Sequence, residues 1–157
     1  MDLFGVPTNL VPYRNALVLL TKSAAQSLSN DTVTVLSFDT EQHDTEDNHD
    51  TIINNSRITI KLPGKYLFTG GARFDTNSVG TRIIFLRKNG TTPIIRSAMV
   101  SAGATQNTAP FIAAVFNLLV GDYVELLAYQ DSTGSLNVLG DNTQIGSTNF
   151  SMSYLGA

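Results

Sequence analysis

The sequence predicts an all-β domain folded as a two-sheet sandwich or jelly roll. Eight or more short runs rich in β-branched and aromatic residues recur at roughly ten-residue spacing, the pattern of such folds. Clusters of Gly, Asn, Asp, Ser and Thr separate them, and Asn89-Gly90 is the strongest short hairpin signal among these. No run is long and periodic enough to predict a helix. No internal repeat of fixed period is present, which disfavours a propeller or solenoid.

The elements follow in order. Residues 1–15 carry Pro7 and Pro12 and no apolar period, so they read as an extended arm, and residues 16–157 as the folded domain. "ALVLLTK" (16–22) is the first strand and "TVTVLSF" (32–38) the next. The polar stretch 39–56 reads as a long loop. In 57–62, Ile58, Ile60 and Leu62 alternate with Arg57, Thr59 and Lys61, a half-buried strand stopped by Pro63 and turned by Gly64. The returning strand sets Tyr66 and Phe68 on one face, with Gly70 and Ala72 in the same register. Small residues beside aromatics imply close backbone approach. "GTRIIFLRKNG" leads into the Asn89-Gly90 turn, and Pro93 marks the strand that leaves it as an edge. "APFIAAVFNLL" runs to a turn at Gly121-Asp122, the polar stretch 130–147 reads as a loop, and "TNFSMSYLGA" closes the chain.

The strand 123–130 is apolar on both faces, Tyr123, Leu127 and Tyr129 on one and Val124, Leu126 and Ala128 on the other, with only Glu125 interrupting. One face belongs to the subunit core. The other is expected to be covered by a second copy of the chain.

Composition bounds the function classes. A chain of 157 residues is the size of one domain, and 42% hydrophobic with 15% charged residues is globular in character. The longest apolar runs fall far short of the ~20 residues of a bilayer-spanning helix, and residues 1–13 lack the basic and apolar regions of a secretory signal. There are no cysteines, so neither disulfides nor a thiolate zinc site contribute. Net charge is −3, all ten basic residues lie between Arg14 and Arg96, and the segment 31–50 holds seven acidic residues and no basic one. Nucleic-acid binding, which needs clustered cations, is not expected.

Gly64-x-Tyr66-x-Phe68, then Asn89-Gly90 after a strand, then Leu118-x-x-Gly121-Asp122-x-Val124-x-Leu126, then a terminal strand led by Phe150, resemble the C1q and tumour-necrosis-factor-like domain in order and spacing. The resemblance covers residue 16 to the end. It implies a ten-strand jelly roll assembling as a homotrimer, with one sheet of each subunit facing the threefold axis. On that alignment Tyr66, Phe68, Ala114, Phe116 and Leu118 point into the subunit. Leu67, Thr69, Phe111, Val115, Asn117 and Phe150 are assigned to the trimer interface. The chain departs from the animal members in lacking a collagen-like segment and cysteine, and in having Met152 where the terminal strand usually carries glycine. The runs 38–66 and 121–136 look like small bacteriophage virion proteins of this kind. That implies a capsid decoration or head-fibre protein on the virion surface. Its arm would attach to the major capsid or another virion protein through Leu3, Phe4, Val6, Leu10 and Tyr13. The alternative is a receptor- or glycan-binding tip on the same trimer.

Candidate chemistry is sparse. Asp44, Glu46, Asp47 and Asp50, with His43 and His49 among them, are candidate calcium ligands, since hard cations take carboxylate oxygens. They lack the glycine and closing glutamate of an EF-hand loop. A solvated loop is the competing reading. No G-x-S-x-G elbow and no phosphate loop is present, so no catalytic residue is assigned and no enzyme is expected. Tyr13, Tyr123 and Tyr129 are the aromatic candidates for sugar contact, with packing as the commoner fate.

Overall fold

A computed structural model of the chain describes residues 16–91, 93–141 and 147–157. The expected attachment residues Leu3, Phe4, Val6, Leu10 and Tyr13 lie outside the described residues. Among the described residues twelve strands are formed: β1 (Leu17–Thr21), β2 (Gln26–Leu28), β3 (Thr34–Val35), β4 (Thr40–Asp44), β5 (Arg57–Thr59), β6 (Gly64–Gly71), β7 (Thr81–Lys88), β8 (Ile95–Val100), β9 (Phe111–Leu118), β10 (Tyr123–Gln130), β11 (Leu136–Val138) and β12 (Asn149–Gly156). All pairings are antiparallel. Among the described residues no helix is long and apolar enough to cross a membrane.

The first sheet has the order β4-β1-β12-β6-β9 and the second β3-β10-β7-β8, with β5 also paired to β10. Alternation along each strand feeds the layer between them. Val18 and Leu20, Tyr66 and Phe68, Ile112 and Leu118, and Phe150 and Met152 come from the first sheet; Ile84, Leu86, Val124, Leu126 and Ala128 come from the second. Each such side chain contributes about 1.5–3 kcal/mol by leaving water. Rings tie the layer together. Phe150 lies 5.7 Å from Phe38 and 5.8 Å from Phe68 between centroids, and Phe68 meets Phe116 edge-on at 5.8 Å.

The close approach expected beside the aromatics occurs at Gly70. A Cβ there would come within 2.9 Å of Leu126 Cδ1, so the two sheets approach closely at this point and any side chain would have to displace Leu126. The hairpin signal also holds. Asn89 (φ 51°) and Gly90 (φ 66°) both take the left-handed conformation that a tight two-residue turn between β7 and β8 requires.

Three readings need correction. The stretch 39–56 is not all loop, because β4 pairs with β1 through backbone hydrogen bonds although its sequence, "TEQHD", has no apolar alternation. The region after β10 likewise contains β11, paired with β2 in a small separate sheet that buries Leu28, Leu136 and Val138. The third concerns β10. Its outer face is covered within the single chain, and Leu127 is 2% exposed because Val35 of β3 and Phe85 of β7 stand directly opposite it on either side. Arg57 lies over the Tyr123 ring at 4.6 Å, Arg87 donates from Nε to Glu125 at 2.9 Å, and the Tyr129 hydroxyl donates to Asp31 at 2.5 Å. No second copy is needed there.

The β9–β10 turn is held by Asp122. Its carboxylate accepts from the Leu119 N–H at 2.8 Å, from Asn89 Nδ2 at 2.7 Å and from Lys88 Nζ at 2.7 Å, joining this turn to the β7–β8 hairpin. Desolvation alone would raise its pKa, but these hydrogen bonds and the Lys88 charge outweigh it and hold the carboxyl at about 2. A carboxyl whose folded pKa is depressed stabilises the fold above its ordinary value, and that contribution is lost as pH falls through the folded one. Asp122→Asn should therefore destabilise the domain near neutral pH, by less than about 1 kcal/mol given solvent screening. The difference from the parent should close between pH 4 and about 2 in urea titrations run across that range.

Candidate interaction surfaces

The outer face of the first sheet is the least solvent-like surface of the sandwich. On β9, Phe111 is 59% and Val115 57% exposed, with Ala113 and Asn117 in the same row. Leu67 and Thr69 of β6 stand opposite Val115 and Ala113. Ser153 and Ser151 of β12 pair with them on the other side, and the Thr69 and Ser151 hydroxyls are hydrogen-bonded at 2.6 Å. Leu17 and Leu19 of β1 continue the row beyond β12. Charges lie at its margins, at Lys65 and on β4. Such a face, apolar with short hydroxyl side chains, is poorly suited to permanent hydration.

Beside it runs β8, the edge of the second sheet, where Met99 and Val100 are 45% and 79% exposed. Apolar surface thus continues around the side of the sandwich from β9 to β8. An unpaired edge with exposed apolar residues is the feature folded domains otherwise protect.

Among the residues assigned to an interface, Leu67, Thr69, Phe111, Val115 and Asn117 share this outer face. Phe150 does not. It is 0% exposed, because its register opposite Gly70 and Leu20 sends the ring inward between Phe38 and Phe68.

The acidic segment does not gather into a metal centre. Asp44 accepts from the backbone N–H groups of Asn48 at 2.9 Å and His49 at 2.8 Å. Asp50 accepts from those of Ile52 and Ile53, both at 2.8 Å, and these hydrogen bonds hold its pKa below the usual carboxylate range. These two carboxylates shape the loop, and among the described residues no group of three or more Asp, Glu, His or Cys side chains converges as metal ligands would. Asp44, Glu46, Asp47 and Asp50 are thereby corrected as a ligand set: two of them are aimed at backbone amides. His43 is exposed on β4, whereas His49 is buried with its ring nitrogens 3.0 Å and 3.2 Å from the carbonyl oxygens of Arg57 and Phe38.

Sequence reasoning missed Lys22. Burial pulls its pKa down against the opposing charge of Asp39, which is how reactive lysines are made. Yet it is 4% exposed and donates to Gln26 Oε1 at 3.1 Å and to the Ser37 carbonyl. It acts as a strut between β1, β2 and the segment after β3.

No protein-family profile matches the chain, and no curated protein matches it in sequence. Solved structures do. The globular domain of zebrafish complement 1qA protein superposes with a TM-score of 0.62 at 15% identity, covering 87% of this chain and 94% of that one. The Eiger TNF from S. frugiperda gives 0.66 at 16% identity, covering 90% and 93%. Murine APRIL at pH 5.0 gives 0.63 at 14% identity, covering 90% and 100%. The class defined is an all-β, C1q/TNF-like jelly roll. Identities this low establish the fold and leave the activity to be argued from surfaces.

Proposed function

We propose that this protein is a non-enzymatic homotrimer that works by assembling and presenting its surfaces. One observation carries the reading: the outer face of the first sheet, with Phe111 and Val115 exposed and Leu67 beside them, is apolar and continues onto exposed Met99 and Val100 of β8. A head-to-tail contact seats that face of one copy against the β8–β9 side of the next. Such contacts close into rings, and closure at three is what the sequence resemblance implies.

Light scattering tests it. The purified chain should have three times the 16.9 kDa subunit mass, and Val115→Glu should reduce it to a monomer that keeps its fold, because a desolvated unpaired charge opposes association. A parent chain that is monomeric at high concentration would refute the assembly.

The finer reading places the trimer on a bacteriophage particle as a capsid decoration or head-fibre protein attached through residues 1–15. It is supported by the sequence resemblance of 38–66 and 121–136 alone. Deletion of residues 1–13 should leave a trimer that no longer joins particles; retained joining would remove the role given to the arm. A second reading, a receptor- or glycan-binding tip, is favoured by the polar cleft described next.

A further inference from the structure

A cleft of about 390 Å³ lies between the loop 47–54 and β5, and its lining combines Arg57, Thr59 and Lys61 with Asn48, Asp47, Asp50 and Ile53. That volume falls in the range of small-ligand sites. Strand alternation on β5 sets Arg57 and Thr59 on the face opposite to the buried Ile58, and Lys61, just past the strand, lines the same cleft. A guanidinium, a hydroxyl and an ammonium therefore line one wall. The other wall is preformed by the Asp44 and Asp50 hydrogen bonds to the loop backbone and by the His49 ring set between two carbonyls.

The charges of this wall are unspent. The neighbouring cations are paired, Arg87 with Glu125 at 2.8 Å and Lys88 with Asp122 at 2.7 Å. Arg57 has only the Tyr123 ring, and neither Arg57 nor Lys61 has an ion-pair partner among the described residues.

We propose that this cleft binds a small hydroxylated carboxylate, a uronic-acid-type sugar. The planar guanidinium fork of Arg57 matches a carboxylate in two parallel hydrogen bonds, with Lys61 adding charge. Asp47, and Asp50 through the oxygen its loop amides leave free, then accept from sugar hydroxyls, and their negative charge disfavours a compact dianion such as phosphate more than a monoanion. Ile53 offers an apolar lip to the C–H face of the ring. This deepens the recognition reading without depending on assembly, because all the lining residues belong to one subunit and lie off the outer face of the first sheet.

The test is titration of the full-length, 15N-labelled chain with D-glucuronate, reading backbone amide shifts, beside D-glucose and inorganic phosphate. Saturable shifts confined to residues 47–61 are expected with glucuronate and not with the other two. Arg57→Gln should weaken binding about tenfold, the loss of one bidentate charged contact. Lys61→Gln should weaken it several-fold, and as an exposed position it keeps the test informative if the Arg57 variant fails to fold. No saturable shift with glucuronate, equal shifts with glucose, or equal shifts with phosphate would each overturn the proposal. Methyl β-D-glucuronide separates the sources: binding as strong as the free sugar supports a glycan-terminal ligand, and binding of the free sugar alone supports a metabolite. A monomeric chain that still binds glucuronate would refute the assembly and uphold the cleft.

Discussion

Phe150→Ala should lower the stability of the subunit by about 3–5 kcal/mol, the cost of emptying a large aromatic site in a packed core. The ring is fully buried and touches both Phe38 and Phe68, so its removal opens a cavity at the centre of the layer between the sheets. For a domain of this size that loss corresponds to a fall in Tm of roughly 10 °C or more. The distinguishing readout is concentration. A core residue destabilises the chain equally at every protein concentration, whereas a residue between copies would show its effect through dissociation. Phe150→Leu, which keeps most of the volume, should cost markedly less. An alanine variant that unfolds normally but no longer self-associates would return Phe150 to the interface.

Arg82→Ala should cost about 3 kcal/mol or more, the largest effect expected of any charged residue in the domain. Arg82 is 0% exposed on β7, and its guanidinium donates from Nη1 to the carbonyls of Val79 at 3.0 Å and Thr81 at 3.1 Å, and from Nη2 to that of Asn77 at 3.4 Å. It thereby gathers the β6–β7 connection, which the Asp131 carboxylate also grips through the Thr81 N–H. Removing it empties a large volume and takes the shared donor from three carbonyls of the β6–β7 connection. Arg82→Met restores volume without donors and should recover only part of the loss; urea unfolding of the three proteins ranks them. A full recovery by methionine would mean that the side chain acts by packing alone.

The face of Arg82 was legible in the sequence. It alternates in step with Ile84 and Leu86, so the pattern that sends those residues inward sends Arg82 with them, although a basic residue beside a turn is more readily read as solvated. What the pattern could not show is the cage of three carbonyls, which comes from a loop folding back over the strand. Phe150 failed differently. Its alternation with Met152 was plain, but parity names two faces without saying which one is inside, and only pairing opposite Gly70 decides it. The strands β4 and β11 were hidden because backbone ladders form between segments of any composition once a neighbour presents its edge.

The acidic segment shows the same limit at the level of a site. Carboxylate spacing along the chain allowed a metal set, while the folded loop spends Asp44 and Asp50 on its own amides. The cleft arose elsewhere, where alternation on β5 set Arg57 and Thr59 side by side, Lys61 followed just past the strand, and the loop supplied the opposite wall.

By itself the sequence determined the all-β class, the Asn89-Gly90 hairpin, the close approach at Gly70 and the inward parity of Tyr66, Phe68 and Leu118, because turn chemistry and period-two alternation are local properties. Tertiary structure alone decided that β10 is covered by its own chain, that Phe150 faces the core, and that the uncovered apolar face belongs to β6 and β9. Those outcomes depend on which strands become neighbours, and that choice is made by contacts between residues far apart in the chain.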